Sequence, residues 1–433
     1  MALTDKLTAI GNAIRAKDGS TALLTLDEMP IAIAAIETSG GDSGIPEEAF
    51  LITGDCSYKF TVNGWNWFIE QYGDKITTEN ITNINYMFRN TGELKTIPFA
   101  INLNSTSKVE CSYAFVNCRE VPKIIINVNE GTSLSGMTNM FENCLVLEEI
   151  NNFSANHTTY NDMAKVFSGC YKLKEVPYIY NAYPSSISNF FSSCKKIKTI
   201  PADYFDTWNF DRINTYNYAK VDSLFKSCSN LRTIPTQVFN KFCKETVSKT
   251  PSNLLYYQGF YSCMTLDEVI GLPIYSMPIT SNSFMSIFNE CYRLKDFTFE
   301  TNEDGTAKAA QWKGQTIDLS VYVGYASSTT TIPDFTEITV DKGVSDAASY
   351  EALKNDADWY SARLYWARYD HDSAVNTINS LPDTSAYIAA NGGTNTIKFK
   401  GEAGLYTDGG AINTLTEEEI AVAAAKGWTV TLS

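Results

Sequence analysis

The sequence predicts a repeat solenoid of α/β class, wound as a right-handed coil with short strands, and three observations predict it. A block of the form Phe-x-x-Cys-x-x-Leu-x-x-Ile recurs eight times, beginning at Phe88, Phe115, Phe141, Phe167, Phe191, Phe225, Phe260 and Phe288. Its slots stay apolar throughout. Six residues after the Phe stand Leu94, Val121, Leu147, Leu173, Ile197, Leu231, Leu266 and Leu294, and nine after it Ile97, Ile124, Ile150, Val176, Ile200, Ile234, Val269 and Phe297. The copies follow at 24 to 28 residues, stretching to 34 and 35 on either side of Phe225. One block cannot bury its own apolar edge, whereas stacked blocks share a continuous core. The period falls in or just beyond the window of leucine-rich repeats.

Taken in order, residues 1–38 are expected to form two short helices separated by Asp18-Gly19-Ser20. Leu3, Leu7, Ile10 and Ile14 make one heptad-type stripe, and Leu26, Met29, Ile33 and Ile36 make another. Helices this short are marginal alone, so the stripes either pack on each other or serve as an attachment and oligomerisation leader. Residues 39–44, Ser-Gly-Gly-Asp-Ser-Gly, read as a flexible linker. Residues 45–84 are expected to be an N-terminal cap, because a solenoid end exposes an apolar cross-section. Its Trp65, Trp67 and Phe68 supply cap core, or alternatively a sugar-stacking platform.

Residues 85–300 are the solenoid. In each coil the Leu-x-x-Ile piece, often followed by Pro, predicts a short strand. The stretch ending on the Phe, as in Met137-x-x-Met140-Phe141, has i, i+3, i+4 spacing and predicts a helical turn on the opposite wall. Residues 301–369 break the period and concentrate Trp312, Tyr322, Tyr325, Trp359, Tyr360, Tyr365 and Trp366. They are either an inserted binding module or a padded coil. Residues 370–433 close the array. Asp372 or Ser373 is expected to cap a helix, Thr416 and Glu419 form a capping-box pattern, a helix follows from Ile420 to Lys426, Gly427 suits a left-handed stop, and Trp428 to Leu432 alternates as a last strand.

Composition narrows the function. Hydrophobic residues make up 44%, aromatic residues 13% and charged residues only 19%, a balance that suits a contact surface. The net charge of −15 repels phosphate backbones, and no basic patch offsets it, so nucleic acid is not an expected partner. No run of about 18 apolar residues exists to insert in a membrane. Asp5, Lys6, Arg15, Lys17 and Asp18 interrupt any signal-peptide core, so the chain is expected to stay in the cytoplasm until it is assembled.

Seven of the ten cysteines share one slot, three after the Phe: Cys118, Cys144, Cys170, Cys194, Cys228, Cys263 and Cys291, with Thr91 in the first copy. Zinc needs close pairs and disulfides need paired geometry in an oxidising compartment. The reading preferred is a ladder of buried thiols acting as small hydrophobes, with Cys56, Cys111 and Cys243 buried outside it.

Only two histidines are present, His157 and His371, and no phosphate loop, dinucleotide fingerprint or EF-hand loop occurs. No cofactor, no metal site and no catalytic residue is expected. Glycosidase chemistry needs only two carboxylates, and nothing singles out a pair. The candidate binding surface is the strand face, where the residue before each repeat Ile is polar: Thr96, Lys123, Glu149, Glu175, Thr199, Thr233, Glu268 and Asp296. This stripe is either a contact surface or a solvated ladder.

The Met-Phe-x-Asn-Cys-x-x-Leu-x-x-Ile block, cleanest from Met140 to Ile150, resembles the BspA-like leucine-rich repeats of gut and oral bacteria and their phages. Asp370-His371-Asp372-Ser373, Asn379-Ser380-Leu381, Leu415 to Ile420 and Lys426 to Val430 are similar to the closing segment of those proteins. Leu3 to Ile10, Ala13-Ile14-Arg15 and Leu26 to Pro30 resemble a short leader of phage virion proteins, and Gly54 to Tyr58 with Asn63 to Phe68 is similar to phage proteins of that kind. BspA-like proteins of the bacterial surface carry export and anchoring signals, and neither is expected here. The resemblance therefore implies a virion protein. It would be structural and adhesive, held to other virion proteins by its leader and presenting the solenoid to a host-surface glycan or protein, with a homotrimer as the implied assembly. Two alternatives stay open: a capsid or tail decoration protein that contacts only virion proteins, and a glycan depolymerase.

Overall fold

The computed structural model describes residues 50–57, 62–104, 108–128, 132–156, 160–210, 222–234, 259–263, 266–272, 291, 294, 296–299, 316–318, 371–399 and 415–432. The leader 1–38, the linker 39–44, Phe288, Cys243, His157 and all of 301–369 except 316–318 lie outside these residues. The chain divides into two units, Met1–Ala182 and Tyr183–Ser433.

The first unit is a parallel β-solenoid. It carries β1 (Phe50–Asp55), helix α1 (Val62–Tyr72), β2 (Ile76–Asn83), β3 (Ile101–Asn102), β4 (Lys108–Glu110), β5 (Lys123–Asn127), β6 (Ser133–Ser135), β7 (Glu149–Asn151), β8 (Ser154–Asn156), β9 (Tyr160–Asp162) and β10 (Tyr178–Tyr180). One wall is a six-stranded sheet in the order β1-β2-β4-β6-β8-β10, and a second wall is β3-β5-β7. All these pairings are parallel, for example Phe50 with Ile76, Val109 with Leu134 and Ile124 with Ile150. Successive coils return in the same direction, which is what a parallel stack requires.

The third wall differs from the helical turn that the spacing predicts. It is a run of turns. In the coil of Phe115, the amides of Ala114, Val116 and Cys118 bond three residues back, to Cys111, Tyr113 and Phe115. The alternate amides of Tyr113, Phe115 and Asn117 instead donate to Thr138, Met140 and Glu142 of the next coil, at 2.9, 2.8 and 2.9 Å. Aiming every second N–H at the neighbour needs left-handed residues two before and two after the Phe. Tyr86 and Asn90, Tyr113 and Asn117, Asn139 and Asn143, Asn189 and Ser193, and Ser223 and Ser227 all have φ between 54° and 63°. Asn tolerates this conformation better than most residues, which suits Asn90, Asn117 and Asn143 to that place, while Ser193, Ser227 and Ser262 take it in later coils. Gly169 takes that place once, at φ +77°, and a Cβ there would lie 2.6 Å from Asn143 Oδ1. A helix keeps its bonds within itself; these turns share theirs between coils. No helix lies in the coils among the described residues, so the α part of the expected class is confined to the ends.

The strands also fall differently from expectation. Those in the Ile slot, β5 and β7 here, occupy coils whose next residue is Ile125 or Asn151. In the coils with Pro98 and Pro177 at that place the slot residue itself is not in a strand, and the strands β3 and β10 begin only beyond the proline. Proline has no N–H to give a ladder, so the pairing stops there.

The second unit comprises β11 (Tyr183–Ser186), β12 (Glu268–Leu272), β13 (Asp296–Phe299), β14 (Thr316–Asp318), α2 (His371–Ser380), α3 (Ser385–Asn391), β15 (Asn395–Phe399), α4 (Glu417–Ala425) and β16 (Trp428–Leu432). The coils of Phe191, Phe225 and Phe260 stack by the same turn bonds, with Phe191 N–H donating to Leu224 at 3.0 Å and Phe225 N–H to Gly259 at 2.9 Å. Here too the proline rule holds: β12 and β13 carry Ile270 and Thr298, and Pro201 follows a single bridge at Thr199.

The core is the repeat itself. Phe88, Phe115, Phe141 and Phe167 form a stack with centroids 5.2 to 5.6 Å apart. Phe191, Phe225 and Phe260 form another at 5.8 and 5.9 Å. The cysteines run beside them, buried and free at Cys118, Cys144, Cys170, Cys194, Cys228, Cys263 and Cys291, as are Cys56 and Cys111. Six of the thiols reach the carbonyl of the Phe one coil earlier: Cys118 to Phe88, Cys144 to Phe115 and Cys170 to Phe141 at 3.1 to 3.2 Å, and likewise Cys228 to Phe191, Cys263 to Phe225 and Cys291 to Phe260.

Helix α1 lies over the end of the first stack. Trp65 is buried with its ring 4.4 Å from Phe88 and its indole N–H donating to Met87 O at 2.6 Å, and Phe68 is buried beside it. At the other end of the chain, Thr377 of α2 donates to Phe297 O of β13 at 2.6 Å. Asp372 and Ser373 lie within the first turn of α2, not ahead of it, because the helix starts at His371. The Thr416–Glu419 capping box on α4 is present, Gly427 is left-handed at φ +81°, and β16 closes a parallel sheet in the order β14-β15-β16.

Candidate functional site

Part of the strand-face stripe stands on paired backbone. Lys123 opens β5 and stands in register with Glu149, which opens β7. Both side chains are about half exposed, and they form an ion pair at 3.5 Å. Thr96 and Glu175, on proline coils, are exposed but outside the ladder. In the second unit Thr199 pairs with Thr233, Thr233 with Glu268, and Glu268 with Asp296, all in parallel. The structure thus builds two stretches of the stripe and interrupts it at Pro98 and Pro177.

The interruption at Pro177 opens the wall. A cleft of about 330 Å³ lies between β7 and the following coil, lined by Glu148, Glu149, Ile150, Phe153, Lys174, Glu175, Pro177 and Tyr178 among others. The repeat shows the opening too. Every described residue of the Ile slot is buried except Ile150 and Val176, the two that line the cleft. Lys174 pairs with Glu148 at 2.6 Å, a bond that lowers the Glu148 pKa and raises that of Lys174. Both ends face solvent, so the pair fixes geometry more than it stabilises the fold. Sequence reading placed Glu149 and Glu175 on the stripe but missed the cleft. Its signal was the proline after Val176.

Two other polar ladders run on the surface. Asn117 donates to Asn90 Oδ1 at 2.8 Å and Asn143 to Asn117 Oδ1 at 3.2 Å. Asn127 donates to Asn102 Oδ1 at 2.6 Å and Asn152 to Asn127 Oδ1 at 2.7 Å. Their amides are spent on one another. On the turn wall Tyr86 and Tyr113 stack at 4.9 Å under Arg89, whose guanidinium lies 5.2 and 5.8 Å from the two rings.

The thiols of the ladder are buried. Burial pushes the Cys228 thiol up to about 12 and raises Cys144 and Cys263 well above the ordinary value, which keeps them protonated. Among the described residues no group of three His, Cys, Asp or Glu side chains is placed to hold a metal ion. His371 is tied between Glu419, at 3.1 Å, and Asp372, at 3.3 Å, and joins α2 to the start of α4. No family model matches the chain, and no curated protein or solved structure is similar to it.

Proposed function

We propose that this chain is a non-enzymatic structural and adhesive protein of a bacteriophage virion, built on BspA-like leucine-rich coils. Its N-terminal stripes (Leu3, Leu7, Ile10 and Ile14; Leu26, Met29, Ile33 and Ile36) attach it to other virion proteins or to sister copies, in a homotrimer. Its coil stack faces a host-surface glycan or protein. One observation supports the recognition role above others. Each unit carries paired stripe residues on its own backbone ladder, Lys123 with Glu149 in the first and Thr199, Thr233 and Glu268 in the second, giving preorganised positions with little to lose on binding.

The test applies fluorescently labelled full-length chain to a panel of gut and oral bacterial isolates. Staining of some isolates, reduced by charge reversal at Lys123 and Glu149, is the expected result. Binding only to virions that lack the chain would replace this reading with the decoration role, and release of reducing sugar from host polysaccharide would replace it with the depolymerase. Deletion of residues 1–44 is expected to abolish incorporation into particles while the coils stay folded, as read by circular dichroism. Native mass spectrometry checks the trimer.

A further inference from the structure

The cleft beside β7 is an opening that the repeat does not need, and its lining is mixed in a particular way. We propose that it binds a neutral sugar unit of one or two rings, an inference that rests on the adhesive reading and gives it an address on the molecule. The apolar share comes from Phe153, buried at the base, with Pro177 and the half-buried ring of Tyr178, which is steadied by Tyr180 at a centroid distance of 4.6 Å. A pyranose ring offers a C–H face to such a surface. Its hydroxyl edge needs fixed acceptors, and the cleft has them. Glu148 is held by Lys174 and Glu149 by Lys123, while the carboxylate of Glu175 has no partner among the described residues. A few aimed polar groups over an apolar floor are what small-ligand sites use, and about 330 Å³ is at the small end of their range.

The charge decides between sugar classes. Of the lining carboxylates Glu148 is paired with Lys174 and Glu149 with Lys123, which leaves Glu175 as the uncompensated charge of the cleft, in a chain of net charge −15. That field works against uronates, sialic acids and phosphate-bearing polymers. Ile150 and Val176 add to the case, because they leave the core at this place alone among described Ile-slot residues.

Saturation-transfer NMR on the full chain tests the proposal with maltohexaose, cellohexaose, chitohexaose and mannohexaose as neutral probes. Oligogalacturonate and spermidine serve as the anionic and cationic ones. At least one neutral probe should receive saturation, with affinity falling about tenfold in Glu175→Gln and in Tyr178→Ala, and unchanged in Lys108→Ala, an exposed position on β4 away from the cleft. Glu175→Gln keeps shape and sits on the surface, so it carries the test even if Tyr178→Ala unfolds. Binding of no neutral probe, binding of only the anionic or cationic probe, or unchanged affinity in Glu175→Gln overturns the proposal. Bacterial staining that survives Glu175→Gln after sugar binding is lost overturns the cleft as the recognition site but leaves the adhesive reading standing. Sugar binding with no isolate stained does the reverse.

Discussion

The Cys144 sulfur lies 3.1 Å from the carbonyl of Phe115 one coil earlier, and that carbonyl already accepts the amide of Cys118 at 3.0 Å. A carbonyl has two lone pairs, and the thiol fills the second while also filling space as a small hydrophobe. Thr91 in the first coil bonds locally instead, its hydroxyl donating to Phe88 O of the same coil at 2.8 Å. Cys144→Ala should therefore lose both the bond and some packing, costing about 1–2 kcal/mol in denaturant unfolding. An unchanged midpoint would reduce the slot to bulk alone. The left-handed Asn117, at φ 61°, makes a second case. Asn117→Gly should be nearly neutral for the backbone, while Asn117→Val should cost about 1–2 kcal/mol more, read as the difference between their melting curves.

At the scale of elements, the residue after the Ile slot decides whether a strand runs through the slot, and at Pro177 the break coincides with the cleft. Ile125, Asn151, Ile270 and Thr298 sit in strands, whereas Pro98, Pro177 and Pro201 do not. Pro177→Ile should restore an N–H and extend the ladder from β7, seen as slower amide exchange at residues 149–151 and 175–178. Unchanged exchange would mean that something other than proline holds the wall open. The clasp between α2 and α4 has its own pH window. Burial alone would lower the His371 pKa, but its bonds to Asp372 and Glu419 and their charges outweigh that and raise it. Glu419 is lowered, chiefly by the backbone N–H of Thr416, against the effect of burial and with help from His371. A raised histidine contributes fully below its ordinary value of 6.5 and loses that contribution as pH rises through the raised one. A depressed carboxylate contributes fully above 4.5 and loses it as pH falls through the depressed one. Amide protection in α2 and α4 should thus peak between about pH 4.5 and 6.5, and His371→Gln should flatten the alkaline flank.

Across the molecule, stability in a stack of coils is the sum of coils and the interfaces between neighbours. The ends are then the weak points. Trp65 covers the terminal Phe88 ring, so Trp65→Ala should cost about 3–5 kcal/mol. Fraying should begin in residues 84–104, detectable as early loss of exchange protection there. Equal loss throughout the first unit would instead indicate a single all-or-none unit.

The period, the buried slots, the thiol ladder and the terminal capping box were legible in the chain, because each depends on residue type at a fixed spacing. Met140, Phe141, Cys144, Leu147 and Ile150 announce a coil without any partner being known. The turn wall was not legible. Its i, i+3, i+4 spacing is equally that of a helix, and only the neighbouring coil, by accepting the amides of Tyr113, Phe115 and Asn117, decides against one. The cleft had a sequence mark, Pro177, but no sequence meaning. A missing N–H becomes an opening only when the strand it would have joined, β7, lies alongside. Local chemistry thus determined what each coil is made of, and the contact between coils decided where their backbone bonds go.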